Sequence, residues 1–297
     1  MELSLSTVNV ETRSGFTWST DMNLFFNRNK VLALSSGITQ DIANQLFVGY
    51  SLSSIYDYQK LGIWQKNEAA QAAVYNSVPG QLKLQDYAGP NGGKPDGLID
   101  ANDKHVIGNG DAKLQGGMTN RFAYKRFDLS FTLYARFGGL LISQIHQPTS
   151  LYLTNLQGDR NQIKVDYWTP NNPTNWFPNP GNTLSPVTNA FSVLGYYDAS
   201  FVKVRSINLG YTFAPSVLKS LYAQSIRIYA SMDNIATLFS PYKKQTGIDP
   251  EGTGTGDQSV SPIGNIRNVS GGVNNTITVG ASAPPPRSII IGLNVSF

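Results

Sequence analysis

Apolar and polar residues alternate over long stretches of the chain, most clearly in the segment Arg287 to Phe297, R-S-I-I-I-G-L-N-V-S-F. Apolar residues take every second position from Ile289 to Phe297, and only Ile290 departs from the alternation. A period of two is typical of a β-strand with one apolar and one polar face. The segment therefore predicts an amphipathic strand that ends on an aromatic residue.

The same alternation predicts further strands along the chain. Phe127 to Phe137 alternates without exception, with an apolar residue at every odd position. Such strands exceed the usual five or six residues and approach the 9–11 residues that a tilted membrane strand needs. A change of phase near Arg205 and Ser206 predicts a β-bulge. The other predicted strands cover residues 2–11, 16–27, 120–124, 201–213 and 224–235.

The segments between the strands are unequal in length. Asn67 to Asn76 is rich in Ala, Gln and Glu and predicts one short helix, whereas residues 81–110, 138–198 and 240–284 are predicted to be loops. Long loops are unusual inside a compact soluble domain, but they alternate with short turns in outer-membrane barrels. The pattern predicts an all-β fold, a segment of an antiparallel transmembrane β-barrel with about eight to ten strands, long outer loops and one short helix.

Composition narrows the class of protein further. Charged residues make up 14% of the 297 residues, below the roughly 25% of typical soluble domains. There is no cysteine, so disulfides and thiolate metal sites are excluded. Lys and Arg are scattered and the net charge is only +4, which predicts no nucleic-acid partner. No stretch approaches the roughly 18 apolar residues of a spanning helix.

Several sequence motifs, in a consistent order, carry a resemblance to a known family. The chain resembles the C-terminal part of SusC/RagA-type TonB-linked outer-membrane proteins. The motifs include F-T-W-S-T-D-M-N-L-F-F-N-R-N-K-V (16–31), V-G-Y-S-L-S-S-I-Y-D-Y (48–58), D-G-L-I-D-A-N-D-K-H-V-I-G (96–108), Y-W-T-P-N-N-P (167–173), V-K-V-R-S-I-N-L-G-Y-T-F (202–213), D-N-I-A-T-L-F-S-P-Y (233–242) and D-P-E (249–251).

The resemblance implies a 22-stranded barrel with an N-terminal plug, of which residues 1–297 would be the C-terminal portion. The start M-E-L-S-L-S-T-V-N-V lacks the features of a signal peptide. We therefore expect a fragment without signal peptide, TonB box or plug, inactive alone. In the family, the intact protein imports an oligosaccharide or peptide across the cell outer membrane. Its implied partners are a SusD-like surface lipoprotein, outer-membrane lipid, and TonB through the missing N-terminal region. Phe297 would carry the barrel assembly signal.

One loop has candidate metal ligands. Asp96, Asp100 and Asp103 have the spacing of the second half of an EF-hand loop. The first half is absent, because its two ligand positions fall on Gly92 and Lys94. The loop is either a weak Ca²⁺ site or a turn held by hydrogen bonds from backbone N–H groups to carboxylates. No other cofactor is predicted.

The segment Tyr167 to Pro180 is rich in aromatic residues, Trp168, Trp176 and Phe177. Their rings could stack on a sugar, or the segment could pack on its neighbours or on a lid protein. The second interpretation is favoured, so this segment and residues 240–284 are predicted to be partner surface.

No catalytic arrangement is evident, and the sequence predicts that the protein is not an enzyme. His105 and His146 lie in no H-E-x-x-H or comparable spacing and are expected at the surface. No nucleophile-elbow, Walker or dinucleotide fingerprint occurs.

Two alternatives to the importer stay open at the sequence level. One is a soluble, secreted β-sandwich carbohydrate-binding module, and the other is a gene remnant without function. A sandwich would bury the apolar face of its strands in a core, whereas a barrel would turn that face outward as a continuous band.

Overall fold

A sheet of seven long antiparallel strands dominates the computed structural model of the chain. The structure describes residues 1–89, 92–146, 164–180, 190–220, 222–251, 276–280 and 285–297. The strands are β1 (Glu2–Glu11), β2 (Phe16–Phe25), β3 (Gln40–Asp41), β4 (Leu46–Phe47), β5 (Ser54–Asp57), β6 (Lys60–Ile63), β7 (Leu82–Leu84), β8 (His105–Asn109), β9 (Leu114–Tyr124), β10 (Phe127–Phe137), β11 (Leu140–Ser143), β12 (Tyr196–Asp198), β13 (Phe201–Thr212), β14 (Ser225–Phe239), β15 (Ile277–Val279) and β16 (Ser288–Ser296). The α-helices are α1 (Ala69–Val74), α2 (Pro215–Ser220) and α3 (Pro241–Thr246), and 3₁₀ turns cover Ser35–Gly37, Lys66–Glu68, Ala101–Asp103, Gln144–His146 and Ala190–Gly195.

The main sheet has the strand order β1-β2-β9-β10-β13-β14-β16, so each long strand pairs with the next long strand along the chain. Because every pair is antiparallel, the connections alternate between the two ends of the sheet. Short connections (residues 12–15, 125–126 and 213–224) all lie at one end, which we call the short-turn end. Long connections (residues 26–113, 138–200 and 240–287) all lie at the other, which we call the loop end.

The observed elements follow the predicted alternation closely. β10 covers the predicted residues Phe127–Phe137, and the predicted bulge is confirmed, because the pairing of β13 with β14 shifts between Val204 and Ser206. β9 begins at Leu114, ahead of the predicted strand, where Gly116 and Gly117 hide the alternation. Residues 81–110 are not all loop as predicted, since β7 and β8 lie within them and pair with β6 and β5. The predicted loops 138–198 and 240–284 likewise contain β11, β12 and β15. The prediction of one short helix is confirmed at α1 but was too low, because α2 and α3 form as well.

One face of the main sheet is mainly apolar, although one of its rows holds Thr7, Thr20 and Asn120 on β1, β2 and β9. A single register row crosses all seven strands through Val10, Trp18, Phe122, Leu129, Leu209, Ala230 and Ile291. The adjacent row on the opposite face holds Ser19, Arg121, Ser130, Asn208 and Ser231. At the two edge strands this row ends in the apolar residues Val8 and Ile290, so the sheet is amphipathic across its five inner strands.

Among the residues that the structure describes, no second layer covers the apolar face. On β16, Ile289, Ile291 and Leu293 are 69%, 74% and 62% exposed, whereas a β-sandwich buries such residues against a second sheet. Among the described residues, no helix has both the length and the apolar character to cross a membrane.

The buried core lies instead in the connections at the loop end. The first cluster joins the segment before β9 to the segment before β12, and the second surrounds β11. Their buried members are Tyr58, Ile63, Leu82, Leu84, Trp168, Phe177, Ala190, Val193 and Leu194 in the first, and Leu141, Tyr197, Ala199, Tyr242 and Val279 in the second. The described parts of the long connections thus pack into two interiors of their own.

Candidate functional site

The polar face of the main sheet carries ion pairs that bridge neighbouring strands. Asp21 on β2 pairs with Arg121 on β9. Asp128 on β10 pairs with Arg227 on β14 at 2.6 Å, and this pair crosses above β13 at Gly210. A Cβ at Gly210 would overlap both side chains. The face is therefore polar with its opposite charges paired, a surface suited to water.

An ionic clamp fixes the D-P-E motif to the polar face. Lys203 on β13 is 3% exposed, and its ammonium donates to Asp249 Oδ1 and Glu251 Oε2, each at 2.8 Å. Arg205 donates to both carboxylate oxygens of Glu251, at 2.8 and 2.5 Å. Burial acts to raise the pKa of Asp249, but hydrogen bonds from the Lys203 ammonium and the Glu251 backbone N–H outweigh it and lower that pKa. Two carboxylates thus neutralise two cations near the start of the connection between β14 and β16.

The sequence showed the D-P-E motif but not its partners. Lys203 and Arg205 are the only charged residues in β13. The sequence did contain one sign of this clamp, which is a pair of cations on a strand whose other residues are apolar or neutral. Pairing them with carboxylates more than 40 residues later required the fold.

The structure separates the three aromatic residues proposed as a substrate or lid-partner loop. Trp168 and Phe177 are 4% and 5% exposed in the first core cluster, where Trp168 donates to Gln65 Oε1 at 2.9 Å. Only Trp176 presents its ring, at 45% exposure. The Lys60 ammonium lies 5.9 Å from that ring's centroid and donates to the Trp176 carbonyl at 2.6 Å. As a contact surface, this segment therefore offers Trp176 rather than all three rings.

The carboxylates of the acidic loop accept hydrogen bonds from backbone N–H groups. Asp103, fully buried, accepts from Tyr87 N at 2.6 Å and Asp100 N at 2.8 Å. Asp100 accepts from Asn102 N at 2.7 Å, and Asp96 accepts from Leu98 N at 3.0 Å. Within the described ranges, no three acidic or histidine side chains come together as a metal site requires. The observed geometry is that of the carboxylate-held turn, and Ca²⁺ binding stays a prediction.

The two histidines lie in different surroundings. His105 is half-buried and stacks on Tyr87 with ring centroids 3.8 Å apart. His146 is 2% exposed, which corrects the expectation of a surface position. Its Nδ1 lies 2.6 Å from Ser143 Oγ, which also lies 2.9 Å from the Tyr242 hydroxyl. Burial lowers the pKa of His146 to about 4, so this side chain is neutral at pH 7.

Comparison with known proteins relates the whole chain to one group. No protein-family model matches it. It is 28% identical to TonB-dependent receptor P3 of Formosa agariphila, over 100% of this chain and 28% of that protein. It is 25% identical to TonB-dependent receptor SusC of Bacteroides thetaiotaomicron, over 84% of this chain and 24% of SusC.

The chain is thus similar over its whole length to TonB-dependent receptors. Its fold also matches a chain of the RagAB peptide transporter with a TM-score of 0.68 at 19% identity, over 100% of this chain and 29% of that one. The predicted fold class, a segment of an antiparallel β-barrel, is confirmed. The chain spans about 28% of the length of TonB-dependent receptors P3 and P26 of Formosa agariphila.

Phe297, the expected assembly signal of a SusC-type barrel, lies at the short-turn end directly after β16. Its side chain is 81% exposed. The backbone at Ser296 accepts a hydrogen bond from Gln224 N at 2.7 Å, so β16 is paired with β14 up to that point. The position is therefore accessible, and its role in assembly stays a prediction.

Proposed function

We propose that this chain forms part of the wall and outer loops of a SusC-type importer in the cell outer membrane. The observation that carries the proposal is the seven-stranded sheet, whose apolar face is continuous and uncovered. In an outer-membrane barrel such a face contacts lipid, and the polar face lines the interior. The homology to SusC-type receptors supports the same assignment.

The orientation in the membrane follows from the unequal connections. Outer-membrane barrels have short turns on the periplasmic side and longer loops on the extracellular side. The short-turn end would face the periplasm, and the loop end with its two core clusters would face outward. The paired charges of the polar face suit a hydrated interior.

The cargo and partners of the import function come from the relatives. The imported compound would be an oligosaccharide or a peptide, in line with relatives named SusC and a peptide transporter named RagAB. A SusD-like surface lipoprotein would contact the loop end, where Trp176 offers an exposed ring. TonB would act on a region of the longer protein outside residues 1–297.

We also propose that the chain has no catalytic role and needs no cofactor for import. The relatives are named as receptors. The Ser143–His146 pair has the elements of a nucleophile and base, but both residues are at most 2% exposed, which argues against access by a substrate.

A fractionation experiment with a transport readout tests the proposal. Cells that carry the gene are separated into soluble and outer-membrane fractions and probed with an antibody against Arg287 to Phe297. We expect a band well above 32.4 kDa in the outer membrane. Deletion of the gene should abolish uptake of a fluorescent oligosaccharide or peptide from a panel of both classes.

The outcomes separate the alternatives. A soluble band at 32.4 kDa would contradict the importer and favour the secreted module. A membrane band at 32.4 kDa with unchanged uptake after deletion would show a membrane protein without the proposed transport role. The absence of any band would indicate a gene remnant.

A further inference from the structure

Basic side chains surround the short-turn end of the main sheet. The three short connections carry Arg13, Lys125, Arg126 and Lys219 and no acidic residue. Glu11 and Asp128 lie two residues from Arg13 and Arg126, and Asp128 pairs with Arg227. Arg13, Lys125 and Lys219 are exposed, and Arg126 is half-buried. This set of four, which we call the basic rim, gives the end an excess of positive charge.

The charge of the basic rim is not neutralised by neighbouring carboxylates. In the part of the chain that the structure describes, none of the four cations lies within 4.0 Å of an Asp or Glu oxygen. The nearest charged pair toward the middle of the sheet, Arg227 with Asp128, is neutral as a unit. The rim cations therefore remain available to an external anion.

An aromatic row lies directly beneath the rim on the apolar face. Phe16, Tyr124, Phe127 and Tyr211 are register neighbours on four successive strands. Tyr124 and Phe127 are 43% and 55% exposed. The Lys125 ammonium lies 5.2 Å from the centroid of the Tyr124 ring. Aromatic residues with cations beyond them mark the level at which hydrocarbon gives way to headgroups.

We propose that the basic rim binds the phosphate groups of acidic phospholipids in the leaflet at the short-turn end. The proposal rests on the membrane location argued above and adds a specific lipid contact to it. The aromatic row would sit at the edge of the hydrocarbon, and the rim cations would reach the phosphates just outside. Each basic residue near an anionic membrane surface contributes about a fivefold gain in binding, from about 1 kcal/mol.

The spacing of the cations favours a lipid surface over a single soluble anion. Strands lie about 4.8 Å apart in a sheet, so neighbouring short connections are separated by roughly 10 Å. The rim thus spreads one or two cations per connection over about 20 Å, rather than converging on one point. Its continuity with the apolar face supplies the hydrocarbon contact that a free phosphate would not use.

The test uses the whole protein that carries this chain, purified in detergent and reconstituted into nanodiscs of phosphatidylglycerol and phosphatidylcholine in equal parts. Native mass spectrometry of the released protein measures which lipid is retained. The rim variant combines Arg13→Gln, Lys125→Gln, Arg126→Gln and Lys219→Gln. The control variant removes four exposed cations at the loop end through Arg28→Gln, Lys30→Gln, Lys66→Gln and Lys94→Gln.

We expect the unmodified protein and the control variant to retain phosphatidylglycerol preferentially. In the rim variant, the ratio of retained phosphatidylglycerol to phosphatidylcholine should fall by at least tenfold. In the unmodified protein, higher salt should also lower this ratio. Equal losses in both variants, or no preference in the unmodified protein, would overturn the proposal. So would full displacement of the lipid by millimolar inorganic phosphate, since that would identify a free-phosphate site.

The result is independent of the import assay. A protein that enters nanodiscs but shows no lipid preference contradicts the basic rim alone and leaves the importer standing. A protein that cannot enter a bilayer contradicts both. Retention of the heat-modifiable gel mobility of a folded barrel in each variant shows that the substitutions leave the fold intact.

Discussion

At the scale of single residues, the glycines of the polar face show how closely side chains and backbone fit. Gly292 on β16 lies beneath the ring of Tyr229 on β14, its register partner, and a Cβ there would overlap the ring. Gly117 on β9 also lies within the sheet, but a Cβ there would meet only one atom, at 3.6 Å. These two glycines form a matched pair for substitution.

We expect Gly292→Ala to lower the free energy of unfolding by about 1–3 kcal/mol, because the rigid Tyr229 ring must move. Gly117→Ala should change it by less than about 1 kcal/mol, since the site has room. Urea unfolding in detergent micelles, followed by tryptophan fluorescence, measures both. Combining Gly292→Ala with Tyr229→Ala should recover part of the loss, and equal costs for the two glycines would contradict the steric argument.

His146 gives a second residue-scale prediction through its buried contact with Ser143. Its pKa is about 4 in the folded chain, below the ordinary value of 6.5. As the pH falls, the unfolded state takes up the proton at a higher pH than the folded state. The free energy of unfolding therefore has its full value above pH 6.5 and declines as the pH falls toward 4. The decline is on the order of 3 kcal/mol.

His146→Gln should flatten the pH dependence of unfolding in this window, because glutamine does not titrate. His105→Gln serves as the control, since His105 is half-buried and stacks on Tyr87. Chemical unfolding at a series of pH values from 4 to 7 makes the comparison. An unchanged pH profile in His146→Gln would show that another group governs the decline.

At the scale of elements, the ionic clamp joins a strand to a connection that follows it in sequence by more than 40 residues. Lys203 is almost fully buried between Asp249 and Glu251. Breaking such a pair from one side leaves an uncompensated charge, which costs about 3–5 kcal/mol. The clamp therefore couples the position of α3 and the residues after it to β13.

We expect Lys203→Met and Asp249→Asn each to destabilise the protein, and the double variant to cost less than the sum by about 0.5–3 kcal/mol. The difference measures the coupling between the two residues in a double-mutant cycle. As a control pair without contact, Lys203→Met is combined with Asn102→Ala in the acidic loop. Additive effects for Lys203 and Asp249 would mean that their contact contributes nothing to stability.

The sequence predicted most of the long strands well because apolar and polar residues alternate along them, whereas the first half of β9 was missed because Gly116 and Gly117 interrupt the alternation. β10 was predicted to the residue, and the bulge at Arg205 was visible as a change of phase. The short strands β7 and β8 were missed, since three to five residues are too few to establish a period. The burial of Trp168 and Phe177 was also beyond reach, because exposure depends on contacts between distant connections.

At the scale of the whole molecule, the two faces of the sheet make opposite demands on the residues that occupy them. Leu133 and Thr132 are adjacent near the middle of β10, and they point to the apolar and polar faces respectively. In a membrane barrel, an arginine at the lipid-facing midplane costs about 2–4 kcal/mol, while positions facing the interior tolerate polar change.

We therefore expect Leu133→Arg to destabilise the folded protein in lipid by about 2–4 kcal/mol, and Thr132→Arg by about 1 kcal/mol through loss of its hydrogen bond with Thr119. Unfolding from phospholipid bilayers by guanidinium chloride measures both. If Thr132→Arg were the more costly change, the assignment of the apolar face to lipid would be wrong.

The placement of every long connection at one end has a consequence for how such a protein diversifies. Residues added at that end lengthen a connection without shifting the pairing of any long strand. A residue added within a strand would instead move the side chains that follow it to the opposite face of the sheet. The alignments with relatives span 313 to 323 residues against the 297 of this chain. The loop end can thus gain or lose residues while the pairing of the long strands stays constant.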